Sequence, residues 1–217
     1  DQFGLAVDAE VTTEANPESV NPNYFDELLG AGFTRISLGM QSSAASVLAT
    51  LDREHTAGRA PQAAREAFAA GFSEVSLDLI YGTPGETDDQ WQQSLHDALA
   101  AEPTHVSAYS LIVEQGTKMA RLVKSGVLEP TDDDVLARRY EWADEAFRQA
   151  GLTWYEVSNW ARGGPNGFSM CRHNLGYWRN HDWLGIGAGA HSHVAGLRWW
   201  NHKHPARCSA QVMAGEL

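Results

Sequence analysis

The chain has few cysteines, few basic residues and no long apolar run. Cys171 and Cys208 are its only two cysteines among 217 residues, which excludes a disulfide framework and predicts a reducing, cytoplasmic setting. Lysine and arginine total 16 against 28 acidic residues, and the formal net charge of -12 disfavours nucleic acid as a partner, because nucleic-acid binding needs a cationic surface. No apolar run approaches the roughly 20 residues that span a bilayer, which leaves only peripheral contact with a membrane open.

Strand-like and helix-like segments alternate along residues 1–158. Apolar, β-branched runs predict strands over residues 5–13, 35–39, 74–80, 105–111 and 153–157, and amphipathic segments between them predict helices. This alternation is typical of right-handed βα units around a parallel sheet, which places the chain in the α/β class. Five units are too few for a closed eight-stranded barrel, so we expect a partial (β/α) barrel.

The pattern changes at Asn159. Residues 159–217 are rich in glycine, histidine and tryptophan, and five of the eight tryptophans fall between Trp160 and Trp200. We expect a small C-terminal α+β subdomain here, with short strands near residues 183–186 and 193–200. The crowding of tryptophans indicates either a dense local core or an aromatic-lined site.

Polar residues follow the predicted strands, where parallel α/β folds bind ligands. These strand-end residues are Glu14, Gln41, Asp78, Tyr109 with Ser110, and residues 156–159. Asp78 interrupts an apolar strand and could accept hydrogen bonds from ribose hydroxyls, since a buried carboxylate is costly without a partner. Glu14 could hold an ammonium group or could be a surface acid. Arg53 could pair with a ligand carboxylate or could form a surface salt bridge.

A histidine, an amide and two aromatic side chains lie close together at residues 173–178. The imidazole of His173 could bind a haem iron while Tyr177 and Trp178 cover the macrocycle. Alternatively, His173 is a hydrogen-bonded scaffold residue and the aromatics belong to the core.

Five segments, taken in their order and spacing, resemble the radical SAM family of oxygen-independent coproporphyrinogen III oxidases and their relatives. The segments are residues 14–17, 39–41, 52–55, 78–85 and 184–187. Within that family, residues 173–178 resemble the HNxxYW motif of the haem chaperone HemW branch. The resemblance covers essentially the whole chain.

The resemblance implies two binding sites. Its S-adenosylmethionine (SAM) contacts fall on Glu14, Gln41, Arg53, Asp78 and the backbone near Ser110. Its haem site falls on His173 as candidate iron ligand, with Asn174, Tyr177 and Trp178 shaping the pocket. The partners it implies are haem or a porphyrin, and proteins that accept haem.

One family motif, the cluster-binding CxxxCxxC, is absent. Three thiolates hold the [4Fe-4S] cluster in this family, with SAM on the fourth iron, and two cysteines cannot supply them. We therefore expect the cluster and the first barrel strands in an N-terminal part that precedes Asp1, and an incomplete C-terminal subdomain. On this view the chain alone does not cleave SAM.

Two main functions remain open for the full-length protein, beside a third possibility of a different radical SAM activity or an inert remnant. One is haem delivery to acceptor proteins, with SAM and the cluster in a structural or regulatory role. The other is oxidative decarboxylation of coproporphyrinogen III to protoporphyrinogen IX. Both use the SAM site, so only His173 separates them.

Overall fold

The computed structural model describes residues 4–53, 56–163 and 169–215. Glu54 and His55, the second half of the predicted 52–55 motif, lie outside the described residues. The chain forms two compact units, Asp1–Met170 and Cys171–Leu217. The first unit extends beyond the predicted boundary at residue 158, because a strand that begins at Asn159 belongs to its sheet.

A six-stranded sheet with the order β1-β2-β3-β4-β6-β5 forms the centre of the first unit. The strands are β1 (Thr12–Ala15), β2 (Arg35–Gln41), β3 (Glu74–Tyr81), β4 (His105–Ser110), β5 (Thr153–Glu156) and β6 (Asn159–Ala161). Strands β1 to β4 are parallel neighbours, as the alternation of strands and helices predicts.

Within the described residues, six α-helices connect these strands: α1 (Pro22–Gly30), α2 (Ala45–Thr50), α3 (Arg59–Ala70), α4 (Asp88–Leu99), α5 (Lys118–Lys124) and α6 (Asp133–Gln149). Helix α4 begins with a capping box, in which Thr87 and Gln90 bond each other's backbone N–H groups. Helix α3 packs on β2 and β3 through buried alanines, whose small side chains allow a close approach. In the part of the chain that is described, no helix is long and apolar enough to cross a membrane.

The two faces of the sheet differ in polarity, because successive side chains of a strand point to opposite faces. One face is the hydrophobic core and includes Ile36, Leu38, Val75, Leu77 and Val106. The opposite face is polar and carries Arg35, Ser37, Ser76, Asp78, His105 and Ser107, aligned by the strand register. The first candidate site lies on this polar face.

Two predicted strands differ in the structure. The first was expected over residues 5–13, but β1 begins only at Thr12, because its neighbour β2 begins opposite that residue, at Arg35. The last was expected as another parallel βα strand. It does run in the same direction as β4, but β6, which is antiparallel to both strands, lies between them.

Over residues 171–215, the described part of the second unit, the chain forms two helices and a hairpin. These are α7 (Arg172–Trp178), β7 (His191–Val194), β8 (Leu197–Trp200) and α8 (Pro205–Ala214). The hairpin corresponds to the strand predicted near residues 193–200. Of the strand predicted near 183–186, only Trp183 makes a β-bridge, to His193. The helix α7 was not expected from the sequence, which has no clean helical period there.

Candidate functional site

The first candidate site is a cleft of about 250 Å³ where strands β1 to β3 approach their carboxyl ends. Its lining residues are Glu14, Ala15, Asn16, Ser37, Gly39, Gln41, Arg53 and Asp78; we call it the strand-end cleft. Four residues assigned to SAM by the resemblance are therefore brought together. The sequence did not single out Ser37, although its position between Arg35 and Gly39 on one strand face was a usable signal.

Gln41 enters the strand-end cleft through an irregularity in β2. The register between β2 and β3 shifts between Gly39 and Gln41, and Gln41 has a positive φ of 61°. Bulges of this kind re-aim a side chain beside a functional site. A positive φ is uncommon for a residue other than glycine, so this backbone conformation carries some strain that the surrounding structure must hold.

Asp78 is the most constrained carboxylate of the strand-end cleft. Ser37 donates to its Oδ2 at 2.8 Å and Ser76 donates to its Oδ1 at 3.4 Å. Burial raises the pKa of Asp78, the hydroxyls of Ser37, Ser107 and Ser76 oppose that rise, and the charge of Glu14 adds to it. Among the described residues, the side-chain hydrogen bonds that Asp78 accepts therefore come from hydroxyl groups.

A hydrogen-bonded chain extends from Asp78 across the polar face of the sheet. Ser76 lies 2.8 Å from His105 Nδ1, and His105 Nε2 lies 2.8 Å from the hydroxyl of Tyr155. Burial, assisted by the charge of Arg35, lowers the pKa of His105 well below its usual value, so the ring is neutral at pH 7. One arrangement satisfies every group: Tyr155 donates to His105, His105 to Ser76, and Ser76 to Asp78.

Ser110 stands apart from the other predicted SAM residues. It ends β4 beside Tyr81, and its side chain opposes the rise in the pKa of Tyr81 that burial causes. It does not line the strand-end cleft among the described residues. The resemblance implies only a backbone contact at Ser110, which stays a prediction.

The second candidate site is a cleft of about 790 Å³ within the second unit. Its lining residues are His173, Tyr177, Trp178, Asn180, Trp183, Leu184, Gly185, Ile186, Ala190, His191 and Arg198; we call it the aromatic cleft. Trp178 and Ile186 are 58% and 89% exposed. Large apolar side chains left open to solvent around a concavity are typical of a ligand or partner site.

Ring contacts organise the wall of the aromatic cleft. The rings of His173 and Tyr177 meet edge to face at 4.6 Å, and Tyr177 meets Trp183 in the same way at 4.7 Å. Trp183 in turn lies 4.8 Å from His193. His173 and Tyr177 are one helical turn apart on α7, which explains why both line the cleft. Asn174 of the same helix does not belong to its lining among the described residues.

The polar groups of the strand-end cleft match those of SAM. SAM carries a sulfonium, an ammonium and a carboxylate, and the strand-end cleft offers two carboxylates, a guanidinium and two amides. Its residues fit SAM: Glu14 would hold the ammonium, Arg53 the carboxylate and Asp78 the ribose hydroxyls. A [4Fe-4S] cluster is not matched by this chain, because three thiolates are needed and the chain has two cysteines.

Residues 4–98, which include every strand-end-cleft residue, match the model of the radical SAM superfamily. The haem chaperone HemW of Mycobacterium tuberculosis (strain H37Rv) is 57% identical over 215 residues, which make up 99% of this chain. The chain belongs to the radical SAM superfamily. Its predicted resemblance to the oxidase-like family and its HemW branch is confirmed, and this superfamily implies SAM and a [4Fe-4S] cluster.

The similarity extends to more distant HemW proteins. The haem chaperone HemW of Escherichia coli (strain K12) is 37% identical over 206 residues, or 93% of this chain. The chain spans about half the length of these relatives: 54% of the Mycobacterium tuberculosis protein and 52% of the Escherichia coli protein.

A solved structure supports the fold. The Escherichia coli coproporphyrinogen III oxidase HemN, described as a radical SAM enzyme, matches with a TM-score of 0.79 at 21% identity. The match covers 96% of this chain and 50% of that one. It confirms the predicted α/β fold of radical SAM type.

Proposed function

We propose that the whole protein is a haem-trafficking protein on a radical SAM scaffold. It binds haem in the aromatic cleft, binds SAM in the strand-end cleft and delivers haem to acceptor proteins. The observation that carries this proposal is the position of His173. Its exposed ring lies in a cleft walled by Tyr177, Trp178 and Trp183, which matches a flat macrocycle with a metal that imidazole binds.

The similarity to proteins named haem chaperone HemW supports the same function. Both candidate sites fall within the 99% of the chain that aligns with the Mycobacterium tuberculosis relative. In this role Tyr177 and Trp183 contact the face of the macrocycle, and His173 binds the iron. The open side of the cleft, where Trp178 and Ile186 are exposed, suits a ligand that must later be released.

SAM has a supporting role in this proposal. Glu14, Arg53 and Asp78 hold its charged and hydroxyl groups, while Gln41 offers both a donor and an acceptor. When a reduced cluster is also present, SAM supplies a deoxyadenosyl radical. We infer that haem delivery does not require this cleavage, and that SAM binding instead stabilises or regulates the protein. Cys171 and Cys208 form no disulfide in the part of the chain that the structure describes, in keeping with a cytoplasmic protein.

Oxidation of coproporphyrinogen III is the competing function. The likeness to the oxidase structure concerns the fold, so it does not favour that activity over haem delivery. Two measurements on the purified, cluster-loaded whole protein distinguish these functions. We expect haem to bind in a 1:1 Soret titration and no protoporphyrinogen to form from coproporphyrinogen III under reducing conditions with SAM. Protoporphyrinogen formation without haem binding would replace the chaperone proposal with the oxidase.

A further inference from the structure

The second unit has a charge opposite to that of the chain. Residues 171–217 contain five lysines and arginines against two acidic residues, in a protein with a formal net charge of -12. The basic residues are Arg172, Arg179, Arg198, Lys203 and Arg207, and the acids are Asp182 and Glu216. A locally basic unit in an acidic protein favours an anionic ligand at that unit.

Arg198 is the basic residue that lines the aromatic cleft. It lies on β8 directly opposite His193 of β7, and Trp200 lies opposite His191 in the same hairpin. Residues two apart share a face of a strand, so these four side chains project from one face. The same hairpin face thus presents two imidazoles, an indole and a guanidinium next to the wall that carries His173.

No carboxylate pairs with Arg198 among the residues that the structure describes. Asp182 is the acidic residue in the described part of this unit. It accepts a hydrogen bond from the backbone N–H of Ala195 at 2.9 Å, and its carboxylate lies 3.9 Å from His193 Nδ1. The Arg198 side chain is exposed, and its guanidinium is a planar fork of donors suited to a carboxylate. An arginine in an apolar, aromatic cleft therefore fits a ligand that brings its own carboxylate.

We propose that Arg198 binds a propionate carboxylate of the porphyrin held in the aromatic cleft. This inference rests on the proposed function and adds a specificity determinant to it. The aromatic residues contact the flat macrocycle, His173 binds the iron, and Arg198 binds a propionate at the edge of the macrocycle. A macrocycle with esterified propionates satisfies the first two but leaves the guanidinium without a partner.

The test compares haem with its dimethyl ester, in which both propionates are blocked. In Soret titrations of the whole protein, we expect the wild type to bind haem about tenfold more tightly than the ester, because a charge-assisted hydrogen bond is lost. Arg198→Gln should weaken haem binding by a similar factor and bind both ligands alike. Arg198→Lys, which keeps the charge but not the fork, should recover part of the preference.

Arg207→Gln is the matched control, because Arg207 is an exposed arginine of the same unit that does not line the aromatic cleft. It should bind both ligands as the wild type does. An Arg198→Gln variant that keeps the full preference for haem over the ester would overturn the role of Arg198, as would a wild type that binds both equally. If the wild type binds neither ligand, the proposed function itself fails, and this inference with it.

Discussion

A Cβ atom on residue 39 would lie 2.8 Å from Nε2 of Gln41, so the glycine at position 39 makes room for the Gln41 amide. The contact concerns the end of a flexible side chain, which can move away at little cost to the fold. Gly39→Ala should therefore lower the free energy of unfolding by less than about 1 kcal/mol and displace the amide from the strand-end cleft. We expect SAM affinity to fall about tenfold, measured by calorimetry on the whole protein.

Gly30→Ala is the control for this substitution, since no atom lies within 4 Å of the Cβ that it would add. It should leave SAM affinity unchanged. Equal SAM affinity in Gly39→Ala and the wild type would remove Gln41 from the site.

Asp78→Asn should stabilise the fold while it weakens SAM binding. The folded-state pKa of Asp78 is raised above 3.8, so ionising this group costs stability as pH rises from the unfolded value through the folded one. Near pH 7 the asparagine variant escapes that cost and should have a higher free energy of unfolding than the wild type. The gain should shrink as pH falls toward 3.8.

Urea denaturation at several pH values measures this effect, with Asp26→Asn as an exposed control. SAM affinity of Asp78→Asn should drop about tenfold, because a charged acceptor is lost. A variant that is less stable than the wild type at pH 7 and binds SAM normally would identify Asp78 as structural.

His105 should make the fold sensitive to acid. Its folded-state pKa is well below 6.5, so the unfolded chain binds more protons than the folded one below that pH. Stability is therefore full above pH 6.5 and declines below it, by at most about 1.4 kcal/mol per pH unit from this group. His105→Gln should reduce this slope, whereas His204→Gln, at an exposed site, should not. An unchanged slope in His105→Gln would assign the acid sensitivity to another group.

How much of this could be predicted from the sequence differs between the two units. In β2 and β3, the alternation of polar and apolar residues indicates both faces of the sheet, whereas Glu14, Gln41 and Asp78 are predicted from their positions at or near strand ends. The position of β6 between β4 and β5 could not be predicted, because the periodicity of a strand does not show which strand it pairs with. In the second unit, α7 could not be predicted, because its sequence contains aromatic residues and a glycine, which have low helix propensity.

Gly185 fixes the backbone of the aromatic cleft. A Cβ there would lie 2.0 Å from the carbonyl oxygen of His191, and backbone cannot move aside as a side-chain end can. Gly185→Ala should cost about 1–3 kcal/mol of stability through overpacking and weaken haem binding at least tenfold in a Soret titration. Gly176→Ala is the matched control, because its Cβ would meet His181 only at 3.9 Å and alanine favours the helix. Wild-type haem affinity in Gly185→Ala would contradict this view of the cleft.

The most direct test of the haem site is a Soret titration of His173→Ala in the whole protein, beside His204→Ala. Both histidines are exposed residues of the second unit, but only His173 lines the aromatic cleft. We predict that His173→Ala weakens haem binding at least tenfold and shifts the Soret band, because an axial ligand is lost, while His204→Ala titrates like the wild type. An unchanged affinity and spectrum in His173→Ala would contradict the assignment of the aromatic cleft as the haem site.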